Sequence, residues 1–376
     1  MSSTEVKTDT NESKDDMLPN ETILGKLRRE YKPIVPDILK DLTKLTISKG
    51  KNTQPKTDQN AIKKLFPLTY GFPIININSN DNSIATDDCI VKIGVVLSGG
   101  QASGGHNVIT GLFDALKEMN IKNELYGFLN GPIGIMKSKY KKLEKNYIDK
   151  YRNTGGFDMI CAGRDKIESI EQQNEALKTV NDLNLDGLVV IGGDDSNTNA
   201  AILSEFFAKN KSKCVCIGVP KTIDGDLQNE YIEISFGFDT AVKTYSEMIG
   251  NICLETKNSK DSWHIIRLMG RAASHVTIDC ALQTHPNITL IGEEIEKENM
   301  LLHDIIRYIC DIIITRATKY NRNYGVLLIP EGIIEFIPTM KALVLQLSKL
   351  LKKGSKILKN IEKMNDINDK INYIKK

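Results

Sequence analysis

Short apolar runs alternate with longer amphipathic stretches along most of this chain, and the alternation sets the expected architecture. Val91 to Leu97, Asn123 to Leu129, Leu188 to Ile191 and Cys214 to Val219 are apolar, rich in β-branched residues and bounded by turn formers, which predicts buried strands. Trp263 to Leu268, Ile288 to Ile291 and Tyr324 to Ile329 repeat the pattern further on. Between them Val108 to Met119, Met136 to Arg152, Ile167 to Leu183, Ser196 to Ala208, Asp239 to Leu254, Ser274 to Gln283 and Met300 to Thr318 have helical spacing. Ser196 is the expected N-cap of its helix, and Met136 to Arg152 is charged enough to predict a solvated helix face. Strand-helix alternation of this kind implies an α/β fold with doubly wound, mostly parallel sheets.

The polar ends of the chain read differently. Residues 1–20 carry almost no large apolar side chains and are expected to be disordered. Glu21 to Ile47 has helical spacing broken by Pro33 and Pro36, Gly50 to Asn60 is a polar linker, and Phe66 to Ile77 is expected to be loop and extended structure. The domains are expected at 21–90 (extension), 91–238 and 239–338, followed by the start of a helical region at 339–376.

Composition narrows the function without choosing it. The chain has 376 residues, 50 basic and 48 acidic groups and a net charge of +2, so nothing argues for a nucleic acid or membrane partner. Its 7 cysteines are scattered without zinc-ligand spacing, so reduced thiols and a cytoplasmic location are expected. No apolar run reaches membrane-spanning length and no signal-peptide pattern is present.

Candidate chemistry gathers at the strand ends. Asp186 to Tyr231 contains a strand ending in Gly192, Gly193, Asp194 and Asp195, then a second strand ending in Pro220, Lys221, Thr222, Ile223, Asp224, Gly225 and Asp226. Ligands of open α/β sheets bind at the carboxyl ends of strands. Carboxylates there suit Mg²⁺ and proton abstraction, and a lysine suits a transferring phosphoryl group. Strand-end Asp and Gly also serve as plain turn formers and caps. Ser98 to Asn107, SGGQASGGHN, joins a strand to a helix start, a pattern that predicts an anion site. It is neither a Walker A loop nor a clean dinucleotide fingerprint. His106 is read as a hydrogen bonder at that helix start, and His264, His275, His285 and His303 as structural, since no metal spacing links them.

These segments, together with RREYKP, AIKKLFPLTYGFP, GFLNGPIGI, GGFDMICAGR, RLMGRAASH, ALQTHPN and IPEG, resemble the phosphofructokinase family, and within it the long pyrophosphate-dependent group, from about Arg29 to Pro338. The resemblance implies two Rossmann-like domains with the active site in the crevice between them. It implies Mg²⁺-dependent transfer from pyrophosphate, or alternatively ATP, to O1 of fructose 6-phosphate in glycolysis. Gly99, Gly100, Arg164 and Gly193 are then expected at the donor and Asp194 at the metal. Asp224 is the expected base, with Lys221, Asp195 and Asp226 as further catalytic groups. Thr222, Ile223, Asp224, Met269, Gly270, Arg271 and Glu331 are expected at the sugar phosphate. A homo-oligomer, or a place in a larger phosphofructokinase, is also implied.

Three departures stand out. Ser103 replaces the family's usual proline, and Asp261-Ser262 stand where a Lys-Tyr pair is common. The family also continues well beyond the point where this sequence ends, so a C-terminally truncated, poorly active chain is expected. A regulatory subunit, a different GGD-type kinase and a dinucleotide-binding module are the competing readings.

Overall fold

The computed structural model describes residues 22–79, 90–230, 232–350, 358, 360–361, 363–364 and 366–375. The expected disordered tail at 1–20 lies outside them, as do Tyr231 and part of the Lys- and Asn-rich end. The chain divides into two compact units, Met1–Lys221 and Thr222–Lys376, and the division falls inside the PKTIDGDL segment.

The first unit opens with an extension. A helix at Ile23–Glu30, capped by the Thr22 side chain, stops just before Pro33. Strand β1 (Leu45–Asn52) then pairs antiparallel with β2 (Pro73–Ser79). The sequence placed a linker from Gly50, but the ladder runs on to Asn52, because β1 finds partners on β2 that its own polarity does not announce. Glu205 fixes the following turn by accepting from the backbone N–H groups of Leu68 and Thr69.

The main sheet of this unit is built on β3 (Lys92–Ser98). It pairs in parallel with β4 (Glu124–Phe128) on one side and β7 (Gly187–Gly192) on the other. β5 (Tyr140–Leu143) flanks β4 antiparallel, β6 (Ala162–Gly163) pairs with the last residues of β3, and β8 (Val215–Pro220) flanks β7 in parallel. The order β5-β4-β3-β7-β8 places the reversal of winding between β3 and β7. Every residue of β7 is buried, as its continuous apolar run requires of a central parallel strand. Val96, Leu188, Val190, Leu203 and Phe207 share one core with Phe128 and Ile135.

Three sequence expectations fail here for identifiable reasons. Met136 to Arg152 is not one helix. After a short helix at Pro132–Met136 the chain turns through Ser138 (φ 52°) and pairs with β4, where Tyr140 meets Tyr126 and Phe128 edge-on and Leu143 is buried opposite Leu125. Cross-strand aromatic packing outweighs the helical spacing. Cys214 to Val219 is not a buried strand. β8 is the edge of the sheet, and Val215 and Ile217 are 58% and 54% exposed, while Cys214 and Cys216 face the core. Ser196 is not the N-cap. The helix is Asp194–Lys209 with Gly193 as cap, and Ser196 lies inside its first turn.

The second unit carries a parallel sheet of β9 (Trp263–Leu268), β10 (Ile288–Thr289) and β11 (Gly325–Pro330) in the order β10-β11-β9. Alternate residues of β11 face opposite layers, as the period of a strand demands. Val326 and Leu328 pack with Phe238, Val242, Ile249, Val276 and Cys280 of helices Phe238–Ser259 and His275–Thr284. Leu327 packs with Ile288, Leu290, Ile295, Ile305 and Ile337, a core closed by helix Leu302–Tyr320. The sheet is thus covered on both faces, as a doubly wound fold requires. No helix among the described residues is long and apolar enough to cross a membrane.

Candidate active site

In the first unit, the carboxyl ends of β3, β6, β7 and β8 bring Gly99, Gly100, Arg164, Gly193, Asp194, Asp195 and Lys221 together. Gly99 turns the chain at φ 88°, and its N–H donates to the carbonyl of Gly163 (2.8 Å), so the CAGR segment is tied directly to the glycine turn. A Cβ on Gly100 would lie 3.5 Å from the Arg164 Nη2 atom, which places an exposed guanidinium at that turn. Lys221 is 6% exposed. Its backbone N–H bonds the Gly192 carbonyl and its Nζ donates to the Gly100 carbonyl, so this ammonium is built into the junction of β3 and β7.

Gly192 has no room for a side chain, since a Cβ would fall 2.4 Å from that of Ser196. The Ser196 hydroxyl donates to the Ser98 hydroxyl (2.8 Å) beneath the two turns, and the Asn197 amide donates to the carbonyls of Gly192 and Gly193 (2.7 and 2.8 Å). Asp194 and Asp195 occupy the first helical positions, where the helix dipole favours negative charge. Asp195 is paired with Lys166 (3.4 Å). Lys166 and Asn197 were not singled out from sequence, and Ser196 was read there only as a helix cap. Their only signal there is proximity to CAGR and GGDD.

The start of helix Gly105–Met119 is less open to an anion than its strand-glycine-helix pattern suggests. The N–H groups of Gly104 and His106 already donate to the carbonyls of Gly155 and Gly156. That leaves the turn before the helix, with Arg164 and Lys221 beside it, as the groups on this side able to meet an anion. His106 is buried at 1% exposure. Its Nε2 accepts from the Met159 N–H (3.0 Å), and its Nδ1 donates to the Thr154 hydroxyl (2.7 Å), which itself donates to the Tyr151 carbonyl. Both ring nitrogens are satisfied in the neutral form, so His106 is structural.

Burial holds the His106 pKa below its ordinary value of 6.5, partly offset by Asp158. The unfolded chain therefore takes up the proton first as pH falls. The stability this residue contributes is complete above the unfolded value and is lost below it. Denaturant midpoints are expected to fall more steeply in the native protein than in His106→Gln between about pH 7.5 and about pH 5.5. Parallel profiles for the two proteins would refute this.

In the second unit, Thr222, Ile223, Asp224 and Asp226 form a loop that is fixed from several sides. The Thr222 N–H donates to the Ser235 hydroxyl (2.8 Å), and the Thr222 hydroxyl accepts from the Asp224 N–H (3.1 Å). Gly225 sits at φ 73° against the Phe238 ring, and its carbonyl accepts from His275 Nδ1 (2.9 Å). Met269, Gly270 and Arg271 follow β9, and Glu331 follows β11. The Glu331 N–H bonds the Leu268 carbonyl (2.8 Å) and the Gly332 N–H bonds the Gly270 carbonyl (3.1 Å), which locks the two turns together. A Cβ on Gly332 would lie 1.9 Å from the Arg271 carbonyl oxygen. Gly332→Ala is therefore expected to destabilise the protein by about 1–3 kcal/mol through forced backbone movement, read as a lower denaturant midpoint. An unchanged midpoint would show that the two turns are not packed this way.

The electrostatics of this cluster centre on Asp224. Burial, then the charges of Asp226 and Glu331, push its carboxyl above the usual carboxylate value, opposed by Arg271, whose backbone N–H also bonds it. Tyr245, which the sequence did not single out, faces the same group. Its hydroxyl pKa is raised by burial first, then by Asp224, with Glu331 contributing. A carboxylate of raised pKa beside an arginine is suited to accept a proton from a neutral ligand group while the arginine holds an anion.

Among the described residues, no group of three or more His, Cys, Asp or Glu side chains is arranged to hold a metal ion. Magnesium does not require one, since it commonly binds through one or two carboxylates and phosphate oxygens. Asp194 fits that role. Its carboxylate is exposed at the end of β7 and makes no ion pair among the described residues.

The family model for phosphofructokinase matches residues 92–372. Pyrophosphate–fructose 6-phosphate 1-phosphotransferase of Entamoeba histolytica is 50% identical over 328 residues, covering 87% of this chain and 60% of that protein. The subunit beta 2 of the same name from Arabidopsis thaliana is 53% identical over 294 residues, covering 78% of this chain and 52% of that one. The chain thus spans about 60% or less of the length of these relatives. Among solved structures, phosphofructokinase of Saccharomyces cerevisiae superposes with a TM-score of 0.55 at 18% identity, covering 66% of this chain and 32% of that one, a likeness of fold. The matched stretch begins with the first residue of β3 and takes in the sheets built on β3 and β11 and every turn of the candidate site, so the chain belongs to the phosphofructokinase family.

Proposed function

We propose that this chain carries the residues for phosphoryl transfer from pyrophosphate to O1 of fructose 6-phosphate, giving fructose 1,6-bisphosphate and phosphate. The observation that carries the reading is the Asp224 cluster. A half-buried carboxylate, raised by that burial and then by Asp226 and Glu331 and opposed by Arg271, combines a proton acceptor with groups able to hold a sugar phosphate. The names of the relatives supply the donor and acceptor.

Transfer is direct, with no covalent enzyme intermediate. Asp224 takes the proton of the primary hydroxyl as its oxygen bonds to the terminal phosphorus of pyrophosphate. The bridging P–O bond breaks and its electron pair leaves with phosphate. General-base help of this kind is typically worth about 10²–10⁴ in rate. Met269, Gly270, Arg271 and Glu331 hold fructose 6-phosphate, and Thr222 and Ile223 orient the reacting oxygens. Gly99, Gly100 and Gly193 let the donor approach backbone closely, and Arg164 and Lys221 stabilise charge on the transferring group. Asp194 would hold Mg²⁺, which supplies charge neutralisation on the phosphate oxygens when bound. Asp195 adds negative charge and bulk where a nucleotide's α-phosphate and ribose would lie, which favours pyrophosphate over ATP.

The same reading places the reaction in glycolysis, in the cytoplasm, and in an assembly with further subunits, as the Arabidopsis relative's name suggests. It is tested by phosphorus NMR of the protein with Mg²⁺, pyrophosphate and fructose 6-phosphate. Equimolar phosphate and fructose 1,6-bisphosphate are expected. Hydrolysis of pyrophosphate without a sugar bisphosphate would refute it.

A further inference from the structure

The glycine turn at the end of β3 is held at both ends by one segment, and that segment is held by the N-terminal extension. At the near end, Gly99 donates to Gly163. At the far end, Gly104 donates to the Gly155 carbonyl (2.7 Å) and His106 to the Gly156 carbonyl (3.0 Å). The chain leading to those carbonyls is also tied down at Arg152 and Thr154. Arg152 makes a two-pronged pair with Asp114 (2.7 Å each) and a third bond to Asp149. The Thr154 hydroxyl is the partner of His106 Nδ1.

Asn153 stands between them at φ 53°, and its side-chain amide leaves the segment altogether. It donates to the carbonyls of Arg28 (2.6 Å) and Tyr31 (2.8 Å), at the C-terminal end of helix Ile23–Glu30. The last carbonyls of a helix lack partners within it, so one amide with two N–H bonds both satisfies them and fixes its own backbone in the left-handed region.

We infer that Asn153 is a positioning residue for the donor side of the site: through it the N-terminal extension sets the geometry of the turn from Gly99 to Gly104. The extension is then part of the apparatus that shapes the anion-binding turn, not only a surface layer. Its effect passes through Asn153, Thr154, Gly155 and Gly156 to the backbone of Gly104 and His106. The inference rests on the reading of this turn as the pyrophosphate site.

Asn153→Asp is the sharpest test, because it keeps the shape and removes both donors, setting a carboxylate against two carbonyl oxygens. Asn153→Gly keeps the left-handed backbone and removes the side chain. In both, amide hydrogen exchange at Gly104 and His106 is expected to accelerate by about tenfold, and KM for pyrophosphate to rise roughly three- to tenfold. KM for fructose 6-phosphate should stay within about twofold, a split that general destabilisation would not produce. Arg164→Ala separates the two claims. If it leaves KM for pyrophosphate unchanged, the donor assignment of the turn fails. If it raises that KM while the Asn153 variants alter neither exchange nor KM, the inference is overturned and the donor assignment stands. Loss of folding in both Asn153 variants would also overturn it, since the role would then be stability rather than positioning.

Discussion

Asp224→Asn is expected to lower turnover by at least about 10²-fold and, at neutral pH, to leave the protein as stable as the native form or more so. The two effects share a cause. In the native fold Asp224 is desolvated and flanked by Asp226 and Glu331, so its charged form is disfavoured and its pKa lies above the usual value. A carboxyl with a raised folded-state pKa contributes stability below its unfolded value, and that contribution is lost as pH rises through the folded one. Above the unfolded value the charged form is therefore less favoured in the native state than in the unfolded chain, a cost that the neutral amide removes. The amide oxygen still accepts from the Arg271 N–H, so the loop through Gly225 is retained. The amide cannot take the proton of an attacking hydroxyl, so turnover falls. Near-native turnover would remove Asp224 from the mechanism. Lost turnover with clearly lowered stability would show that the carboxylate serves the fold and not the reaction.

Lys221→Gly is expected to lower turnover with pyrophosphate by about 10²–10³, the usual loss when a preorganised charge at a transition state is removed. Lys221 is not a mobile surface cation. Its Nζ is committed to the Gly100 carbonyl and buried at the junction of β3 and β7, so its position is set before any donor arrives. Asp195→Gly should act in the opposite sense on donor choice. Asp195 is largely exposed at the second position of its helix and held by Lys166, so its removal opens space and takes away charge without emptying a core. The ratio of kcat/KM for ATP to that for pyrophosphate is expected to rise in Asp195→Gly and further in the double variant. The two changes need not add, because both act on one site. A fall in that ratio in Asp195→Gly would refute its role in excluding nucleotides.

The strands that carry the site were legible because their sequences are short, β-branched and closed by glycine. β3, β7, β9 and β11 lie within a residue or two of the expected positions, and the polar groups past their ends lie where an open parallel sheet presents them. What could not be read depends on partners distant in the sequence. Tyr140 and Leu143 have helical spacing from their neighbours, and only the rings of Tyr126 and Phe128 make them a strand. Ser196 follows two aspartates as a cap would, yet the helix begins two residues earlier and its hydroxyl turns inward to Ser98. The glycine-rich run before His106 predicts an open helix start, but Gly155 and Gly156 close it. Nothing near Asp224 reveals that Glu331, at the end of another strand, faces it. The roles of Met269, Arg271 and Glu331 came from the family resemblance. Tyr245, Lys166 and Asn153 stood outside every motif, since each is defined by a three-dimensional neighbour.

One competition experiment bears most directly on the account. The native protein is given Mg²⁺, fructose 6-phosphate, and pyrophosphate and ATP together at equal concentration, and the phosphorus spectrum is followed through the first turnovers. Loss of the pyrophosphate signal in step with formation of fructose 1,6-bisphosphate, while the ATP signals persist, is the predicted result. Fructose 1,6-bisphosphate formed as ATP becomes ADP, with pyrophosphate untouched, would contradict it.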